Sequence, residues 1–349
     1  MQNPPFVSLL MPVRNEASFI ERSLGAVLAQ DYPGDRIEVI VADGLSTDRT
    51  REIIEALAKQ HPNLQLVDNP GKIVSTGLNA ALRVARGEII IRVDGHTVIA
   101  SDYCRQCVEA LRQTGADNVG GRMTAVSDGE FGRAVALATS SRFGIGDARF
   151  HYSDRAEQVD TVYLGAWPRD SFQRVGMFDE EMVRNQDDEF NYRVRAAGGK
   201  ILLDPRIKSQ YYNRATPLSL WRQYFQYGYW KVRVLQKHPR QMSSRQFVPP
   251  LFVMTLFLLS LTAPFLMAGR FLLAAIVITY SVLSFGASIL AARRGDWRLL
   301  PLFPVAFAII HVAYGSGFLL GLARFWNRWR DQGTQAGQSS LVRDVAPLR

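Results

Sequence analysis

Short apolar runs alternate with amphipathic stretches through the first part of the chain. Runs such as VSLLMPV and IEVIVA have the length and the β-branched content of buried strands. The stretches between them repeat apolar residues every three or four positions, which is typical of helices. This alternation predicts an α/β domain with a mostly parallel sheet and helices on both of its faces. The predicted strands are Val7–Val13, Ile37–Ala42, Leu64–Val67, Glu88–Val93, Val119–Met123, Val162–Ala166 and Ile201–Leu203. The predicted helices are Ala17–Ala29, Arg49–Lys59, Val74–Ala85, Asp102–Arg112 and Gln186–Ala197.

The last third of the chain differs, because it contains three long runs without charge, namely Phe247–Ala268, Phe271–Ala292 and Leu299–Ala323. A helix needs about 20 apolar residues to cross the ~30 Å hydrocarbon layer of a membrane, and each run is long enough. Prolines interrupt the first run, so it is either a kinked span or a re-entrant segment. The sequence therefore predicts about three membrane segments, with core helices of a large soluble domain as the alternative.

The net charge of +9 comes partly from basic residues beside these runs. The basic residues before the first run favour a cytoplasmic N-terminal domain, because positive charge collects on that side of a membrane. The apolar stretch Phe6–Val13 is too short for a signal peptide and lacks a basic flank, which agrees. Three full spans put the basic group between the second and third runs inside and the group after the third run outside. A re-entrant first segment does the reverse. Charge beside apolar spans fits anionic lipid better than nucleic acid. The three groups are Lys231, Arg233, Lys237, Arg240 and Arg245; Arg293, Arg294 and Arg298; and Arg324, Arg328 and Arg330.

The segment before the first apolar run combines aromatic and basic side chains, among them Trp221, Tyr229 and Trp230. Tryptophan and tyrosine favour membrane interfaces, and lysine and arginine favour lipid head groups. We therefore expect a helix that lies on the membrane surface, with an ordinary docking helix as the alternative.

These patterns predict a multi-pass protein of the cell inner membrane with a cytoplasmic catalytic domain. Cys104 and Cys107 lie in a predicted helix and are expected to be reduced core residues, which suits the cytoplasm. The predicted divisions are a catalytic domain over 1–217, an interfacial helix region over 218–246, a membrane domain over 247–323 and a basic, partly disordered tail over 324–349.

A polar cluster follows each of the first four predicted strands. Taken singly, each cluster is also explained as a turn or a helix cap. Together they lie where the carboxyl ends of parallel strands meet, which is where such sheets bind ligands. They therefore predict one crevice for a polar ligand. The clusters are Pro12 with Arg14, Asn15 and Glu16; Asp43 with Ser46, Thr47 and Asp48; Gly71 with Lys72; and Asp94 with Gly95 and His96.

The residue types in this crevice suit a nucleoside diphosphate. Asn15, Glu16 and Asp43 supply hydrogen-bonding groups for a base edge and for ribose hydroxyls, and Lys72 supplies a cation for phosphate. Asp94 and His96 are a carboxylate and an imidazole two positions apart. These side chains suit Mn²⁺ or Mg²⁺, with phosphate oxygens completing the coordination shell. The metal would neutralise charge on a departing diphosphate.

The set of motifs resembles glycosyltransferase family 2, whose members have the GT-A fold, over roughly residues 6–215. Together with the trailing apolar segments, it is most similar to the exopolysaccharide glucosyltransferases of that family. The resemblance implies that Asp94-Gly95-His96 corresponds to the metal-binding Asp-x-Asp motif. Two departures stand out. Gly44 replaces the second of two aspartates after the second strand, and His96 replaces the second aspartate of the metal motif.

An acidic cluster from Val183 to Arg193 resembles the family's Glu-Asp-x-(Asp/Glu)-Leu-x-x-Arg segment, with Gln186 in place of the glutamate. The resemblance implies that Asp187 is the general base and that Asp188 and Arg193 lie near the acceptor. Acidic residues in a first helical turn also act as caps, which is the alternative.

The segment from Gly165 to Arg169 resembles an acceptor-side segment of the family. It implies that Arg169 lies beside the acceptor and that Trp167 either stacks on a sugar or packs in the core.

The sequence therefore predicts an inverting transferase that moves a sugar from a nucleotide diphosphate donor, most simply a UDP-hexose, to a hydroxyl of a lipid-linked or glycan acceptor in cell-surface glycan synthesis. A polyprenyl-phosphate sugar synthase, a processive polysaccharide synthase, a metal-dependent nucleotidyltransferase and a non-enzymatic membrane scaffold are the alternatives. Donor and acceptor specificity is expected to reside in the loops of residues 125–185.

Overall fold

The computed structural model describes residues 3–127, 129–146, 148–213 and 216–330. Within this part of the chain there are two compact units. The sheet unit comprises residues up to Thr124 together with Ser153–Tyr211, and the helical unit comprises Ala125–Tyr152 together with residues from Tyr212 onward. The predicted tail over 331–349 lies outside the described residues.

The first half of the sheet unit is built from parallel strands in the order β3-β2-β1-β4. Every residue of β1 and β2 is buried, which explains why both strands are almost continuously apolar. Val7 lies opposite Ile37 on one side and Ile89 on the other, so the carboxyl ends of these strands reach the same edge. The elements are β1 (Val7–Val13), α1 (Ile20–Leu28), β2 (Ile37–Asp43), α2 (Thr50–Ala58), β3 (Leu64–Asp68), α3 (Val74–Val84) and β4 (Ile89–Arg92).

The remaining strands pair in a different way. The elements that follow are β5 (Thr97–Ile99), α4 (Tyr103–Thr114), β6 (Asn118–Val126), α5 (Glu130–Thr139), α6 (Arg142–Ile145), β7 (Glu157–Gln158), β8 (Tyr163–Pro168), α7 (Arg169–Val175), α8 (Gln186–Ala196) and β9 (Ile201–Tyr212). β8 inserts antiparallel between β4 and β6, and β5 and β7 pair antiparallel with β9. The sheet is thus mixed, with its parallel part at the polar clusters. Cys104 and Cys107 are free and fully buried in α4, as predicted.

The helical unit contains the apolar segments. Its later helices are α9 (Pro217–Lys237), α10 (Val248–Thr262), α11 (Met267–Arg294) and α12 (Leu302–Arg324). Thr216 caps α9 through a reciprocal pair of hydrogen bonds with Ser219. Among the described residues, three helices are long and apolar enough to cross a membrane: Ser244–Thr262, Met267–Arg294 and Leu302–Arg324. The predicted number of apolar membrane segments is therefore confirmed by length and composition.

Helix α9 docks closely against α12. A Cβ added to Gly317 of α12 would lie 2.0 Å from the carbonyl oxygen of Phe225, and one added to Gly228 of α9 would lie 2.0 Å from the carbonyl oxygen of Tyr314. Glycine at these positions lets the two backbones approach. Lys231 and Arg233 are buried, at 4% and 0% exposure, so the expectation that they point to lipid head groups is wrong.

Residues 125–152 belong with the apolar helices and not with the sheet, which differs from the predicted domain over 1–217. Ala134, Val135 and Ala138 of α5 form one apolar cluster with residues of α11 and α12. His311 of α12 bonds to the hydroxyl of Tyr280 on α11 and to the carbonyl oxygen of Phe143 on α6, both at 2.9 Å. The sequence pattern of this segment carries no sign of its packing partner, so it does not separate the segment from the sheet domain.

Candidate active site

The polar clusters predicted from the sequence meet at the carboxyl ends of the parallel strands. β1 lies between β2 and β4, so the chain leaves the sheet in opposite directions on its two sides. Such a switch point opens a crevice for a ligand. Three residues without a glycine's freedom adopt left-handed backbone conformations in these loops, namely Asn15, Leu45 and Lys72, and Asn185 does so directly before α8. Strain of this kind is retained where the surrounding structure fixes a functional loop.

The loops after β1 and β2 are tied together by hydrogen bonds. The Asn15 side-chain oxygen accepts from the amide of Thr47 at 2.8 Å, and the Asn15 amide donates to Ser46 at 2.9 Å. The Glu16 amide donates to Thr50 at 2.8 Å. The Asn15 side chain therefore organises the rim, while the Glu16 carboxylate remains partly exposed and lies 3.5 Å from Nδ1 of His96.

Asp43 has a different role from the predicted one. Its carboxylate is fully buried and accepts hydrogen bonds from Ser46 at 2.6 Å and from Arg51 at 3.4 Å. A carboxylate shielded in this way does not contact a ligand, so the prediction of direct nucleotide binding by Asp43 is corrected to support of the Ser46 loop. At Gly44 a Cβ would lie 3.1 Å from the side chain of Arg14, so the two loops approach closely there.

Pro12 and Lys72 are placed differently from each other. Pro12 is buried, and its ring lies under Gly77 of α3, so its side chain shapes the strand end. Its contact with a nucleotide stays a prediction. Lys72 is exposed in the loop after β3, and its amide donates to the carbonyl oxygen of Asn69 at 3.0 Å. Lys72 and the exposed Arg14 therefore remain candidates for phosphate contacts.

The Asp94 carboxylate is bound on both oxygens by Arg92, at 2.8 and 3.1 Å. Burial alone would raise the pKa of Asp94, but Arg92 outweighs it and the net pKa is lowered, so the carboxylate stays ionised. Arg92 itself is only 5% exposed. Sequence reasoning passed over this arginine, although a charged residue inside the apolar run IIIRV was a usable signal.

Asp187 lies at the start of α8 and faces the same arginine. Its carboxylate is 33% exposed, and one oxygen lies 3.8 Å from Nη1 of Arg92. That nitrogen is buried and makes no hydrogen bond within the described part of the chain. Burial raises the pKa of Asp187, and Arg92 opposes the rise. The predicted base and the predicted metal motif are thus brought together around one guanidinium.

Asp94 and His96 are the two residues predicted to bind a metal. Their side chains are 15% and 27% exposed, so both reach the crevice. No group of three or more histidine, cysteine, aspartate or glutamate side chains among the described residues forms a closed metal site. Mg²⁺ in nucleotide sites is bound by one or two carboxylates plus substrate phosphates, so a closed set of protein ligands is not required.

Trp167 is not available to a sugar. It is fully buried and meets Phe172, Phe178 and Phe190 edge to face, with ring centroids 5.7–6.0 Å apart. These edge contacts are favourable packing geometry for aromatic side chains. The stacking role expected for Trp167 is therefore wrong, and core packing, the stated alternative, holds.

Arg169 also serves the framework. Its guanidinium donates to the carbonyl oxygens of Ala85 and Gly87, both at 2.6 Å, and so ties α7 to the loop before β4. Because its donors point to the backbone, the predicted contact with an acceptor is corrected.

Arg193 supports the loop before α8. It pairs with the carboxylate of Glu189 at 2.7 and 2.8 Å and donates to the carbonyl oxygens of Val175 and Met177. These bonds hold the start of α8, and with it Asp187, against the preceding loop. Its predicted acceptor contact is therefore replaced by a positioning role. Asp188 is half-buried beside Asp187, and its place near the acceptor stays a prediction.

The burial of Trp167 leads to a stability prediction. Replacing Trp167 by alanine is expected to lower the free energy of unfolding by about 3–5 kcal/mol, because a large cavity opens among three phenylalanines. Thermal unfolding of the purified protein measures the effect, with Trp167→Phe as the milder control. A higher KM for the acceptor with unchanged unfolding would contradict the core role.

Comparison with known proteins agrees with this geometry. The family model described as "Glycosyl transferase family 2" matches residues 8–176. Over 330 residues the chain is 32% identical to the succinoglycan biosynthesis protein ExoA of Rhizobium meliloti strain 1021, covering 92% of this chain and 96% of ExoA. The chain belongs to glycosyltransferase family 2. It is therefore a glycosyltransferase, and its similarity to ExoA agrees with the resemblance to exopolysaccharide enzymes.

Other relatives broaden the picture. The chain is 26% identical over 240 residues to a dolichyl N-acetyl-α-D-glucosaminyl phosphate 3-β-D-2,3-diacetamido-2,3-dideoxy-β-D-glucuronosyltransferase of Methanococcus voltae, which covers 66% of this chain and 74% of that one. A solved mannosyltransferase of Pyrobaculum calidifontis, in complex with GDP-Man and Mn²⁺, has a TM-score of 0.57 at 20% identity, covering 92% of this chain and 88% of that one. The structural likeness confirms the GT-A fold.

Proposed function

We propose that this family 2 enzyme is an inverting glycosyltransferase. It moves a sugar, most simply the hexose of a UDP-hexose, to a hydroxyl of a lipid-linked or glycan acceptor in the synthesis of exopolysaccharide or another cell-surface glycan. The observation that carries the proposal is the placement of the Asp187 carboxylate against Arg92, on the other side of which lies Asp94. One cation thereby connects the donor-side carboxylate to the base.

Asp187 acts as the general base in this proposal. It accepts the proton of the acceptor hydroxyl while that oxygen attacks the anomeric carbon from the face opposite the diphosphate. The bond from the anomeric carbon to the diphosphate breaks as the new glycosidic bond forms, so a single displacement inverts the configuration. Burial raises the pKa of Asp187 above its ordinary value, which makes the carboxylate a stronger base for this step.

The donor binds along the rim of β1 to β4. Glu16, partly exposed on the loop that Asn15 holds in place, would bind ribose hydroxyls, and Arg14 and Lys72 would bind phosphate. Asp94 and His96 would hold Mn²⁺ or Mg²⁺. A bound divalent cation would supply Lewis-acid stabilisation of the diphosphate.

The acceptor is proposed to be lipid-linked because the catalytic unit is followed by the apolar helices. The names of the relatives from Rhizobium and Methanococcus, which refer to succinoglycan biosynthesis and to a dolichyl phosphate sugar, support this choice. We place the protein in the cell inner membrane as a multi-pass protein, with the catalytic unit in the cytoplasm, where nucleotide sugars are made.

A substitution of Arg92 tests whether it serves the base. Arg92→Gln is expected to lower kcat about 10–100-fold, as is typical when a residue that orients a functional ligand is lost. Asp187 needs to be ionised, and Arg92 favours the ionised form. As the pH is lowered, Arg92→Gln should therefore lose its activity at a higher pH than the wild type does. Arg92→Lys, which keeps the charge, should leave this acid limb nearer to the wild-type position.

The matched control for Arg92 is Arg206, which binds both oxygens of Asp204 two positions away on β9. Arg206→Gln removes a similar pair and should leave kcat and its pH profile unchanged. Equal losses in the Arg92 and Arg206 variants would mean that Arg92 is merely structural.

The donor is identified with purified protein in lipid nanodiscs. A panel of radiolabelled UDP- and GDP-sugars is supplied together with lipid-linked acceptors, and label is counted in the organic-solvent fraction. Metal-dependent transfer from one nucleotide sugar is the expected result. Transfer of the nucleoside monophosphate group, with label in the nucleoside and release of sugar 1-phosphate, would instead indicate a nucleotidyltransferase.

A further inference from the structure

The helices α10 and α11 expose apolar side chains all around. In their most apolar stretches only 6% and 11% of residues are buried, against 44% in α12. Phe257 and Leu261 of α10 and Phe271 and Ile278 of α11 are all more than half exposed. A helix that is apolar on every side and is left uncovered by protein fits the interior of a bilayer.

α10 and α11 form a hairpin. The rings of Phe252 and Tyr280 stack at 4.8 Å, and Gly269 lies against the backbone of Ala263 at the turn. Arg270 donates to the carbonyl oxygens of Ala263 and Pro264 at 2.8 and 2.9 Å, which satisfies the end of α10. The start of α10 and the end of α11 therefore lie on the same side of any membrane that the hairpin crosses.

α12 touches the start of α10, where a Cβ added to Gly315 would lie 2.5 Å from the carbonyl oxygen of Pro249, and it touches α11 through His311 and Tyr280. Its lengthwise partner is α9. Gly317 lies against Phe225 of α9, and further along both helices Gly321 lies against Tyr229. At the far end, Gln236 donates to the carbonyl oxygen of Phe325 at 2.7 Å. The residue numbers rise together, so α9 and α12 run parallel and in contact along most of their length.

α9 is too polar to accompany α12 across hydrocarbon. Arg222 and Gln226, on its outer face, are exposed. If α12 spanned the bilayer, its lengthwise partner would carry both side chains into the lipid. An arginine near the centre of a membrane helix costs about 2.5–3.5 kcal/mol on insertion scales.

We propose that the α10–α11 hairpin crosses the bilayer and that the paired helices α9 and α12 lie along its cytoplasmic surface. The assignment of the cytoplasmic side rests on the proposed use of a nucleotide sugar. The bilayer is the partner of this surface, and exposed side chains of α12 and its end suit the interface: Val305, Leu320, Trp326 and Trp329.

This arrangement removes the conflict in the charge pattern. The basic group before α10, the group between α11 and α12, and the group after α12 all lie on the cytoplasmic side. Three full spans would put the last group outside, and a re-entrant α10 would put the middle group outside. The hairpin alone satisfies the positive-inside rule for all three groups.

Cysteine labelling tests the topology, and the protein suits it because Cys104 and Cys107 are fully buried. Single cysteines replace exposed residues in the three segments: Ala268→Cys at the hairpin turn, Arg298→Cys between α11 and α12, and Asn327→Cys after α12. Sealed spheroplasts receive a membrane-impermeant maleimide before and after permeabilisation. Labelling of every variant in detergent serves as the control that its thiol is reactive. Trp297→Cys provides a second position in the segment between α11 and α12.

The hairpin predicts that Ala268→Cys is labelled from outside at the level seen in detergent, whereas Arg298→Cys and Asn327→Cys are labelled only after permeabilisation. Labelling of Asn327→Cys from outside would overturn the proposal in favour of three spans. Labelling of Arg298→Cys from outside, with Ala268→Cys protected, would overturn it in favour of a re-entrant α10.

A variant in the sheet unit separates this proposal from the proposed function. Glu52 is exposed on α2 of the sheet unit, so Glu52→Cys reports the side on which the catalytic unit lies. Its labelling from outside would contradict the use of a cytoplasmic nucleotide sugar. The hairpin would then still be tested separately, by whether Ala268→Cys lies on the opposite side of the membrane from Arg298→Cys and Asn327→Cys.

Discussion

Asp187→Asn is expected to lower kcat by about 10²–10⁴-fold, the range in which general bases contribute. Asparagine keeps the shape of the side chain but cannot accept the proton of the acceptor hydroxyl. Donor binding should persist, because the nucleotide rim lies on other loops. Initial rates with a saturating radiolabelled donor measure kcat, and calorimetric titration with UDP measures donor binding.

Asp188→Asn is the matched control, since it removes a carboxylate one position along the same helix start. Asp188 donates its backbone amide to Asp187 at 2.9 Å, and that bond is kept in the variant. We expect a much smaller effect on kcat than for Asp187→Asn. The reverse order would move the role of base to Asp188.

Asp187→Asn also separates two candidate functions, transfer to a hydroxyl and transfer to a phosphate. In a polyprenyl-phosphate sugar synthase the acceptor is a phosphate, which is already deprotonated at neutral pH and needs no general base. Full activity of Asp187→Asn on a phosphate acceptor would therefore favour that alternative over transfer to a hydroxyl.

Asp94→Asn is expected to lower kcat/KM by about a hundredfold, equivalent to roughly 3 kcal/mol of stabilisation. The neutral amide is a poor metal ligand, and it leaves Arg92 without the partner that binds it twice. UDP affinity in the wild type should rise when Mn²⁺ is added, and in Asp94→Asn that rise should disappear. Calorimetric titration of UDP with and without Mn²⁺ measures this difference apart from activity.

Asp204→Asn provides the comparison for Asp94, because Asp204 is equally bound by an arginine two positions away but lies on β9. It should leave the effect of Mn²⁺ on UDP binding unchanged. If both aspartate variants lose that effect, the proposed assignment of the metal to Asp94 and His96 is wrong.

The loops of the site were predictable because parallel strands place their carboxyl ends together. Once β1 to β4 were found from their apolar runs, the positions of Asn15, Lys72 and Asp94 at one edge followed. The depth of each side chain did not follow. Asp43 sits at that edge but is buried under Ser46 and Arg51, since burial depends on contacts far apart in the sequence.

The second half of the site was harder to predict from sequence. Trp167 lies in a segment similar to an acceptor loop, but three phenylalanines enclose it, and the pattern of the segment itself carries no trace of them. Arg92 was passed over because it lies inside a strand, before the motif that attracts attention. The short strands β5 and β7 have too few residues for an alternating pattern to be recognised.

The sequence pattern also does not predict which of the apolar helices pack against each other. Length and composition identify three candidate spans, but they do not distinguish helices whose apolar side chains are exposed from one that is partly covered by protein. Gly317 and Gly228, which allow α12 and α9 to touch, become informative only when both helices are seen together.

The stereochemistry of the product tests the central claim most directly. The purified enzyme transfers a ¹³C-labelled sugar from its donor to a defined acceptor, and NMR coupling at the anomeric carbon gives the configuration of the new bond. An α-linked nucleotide sugar should yield a β-linked product, because Asp187 directs a single displacement. An α-linked product would contradict the account.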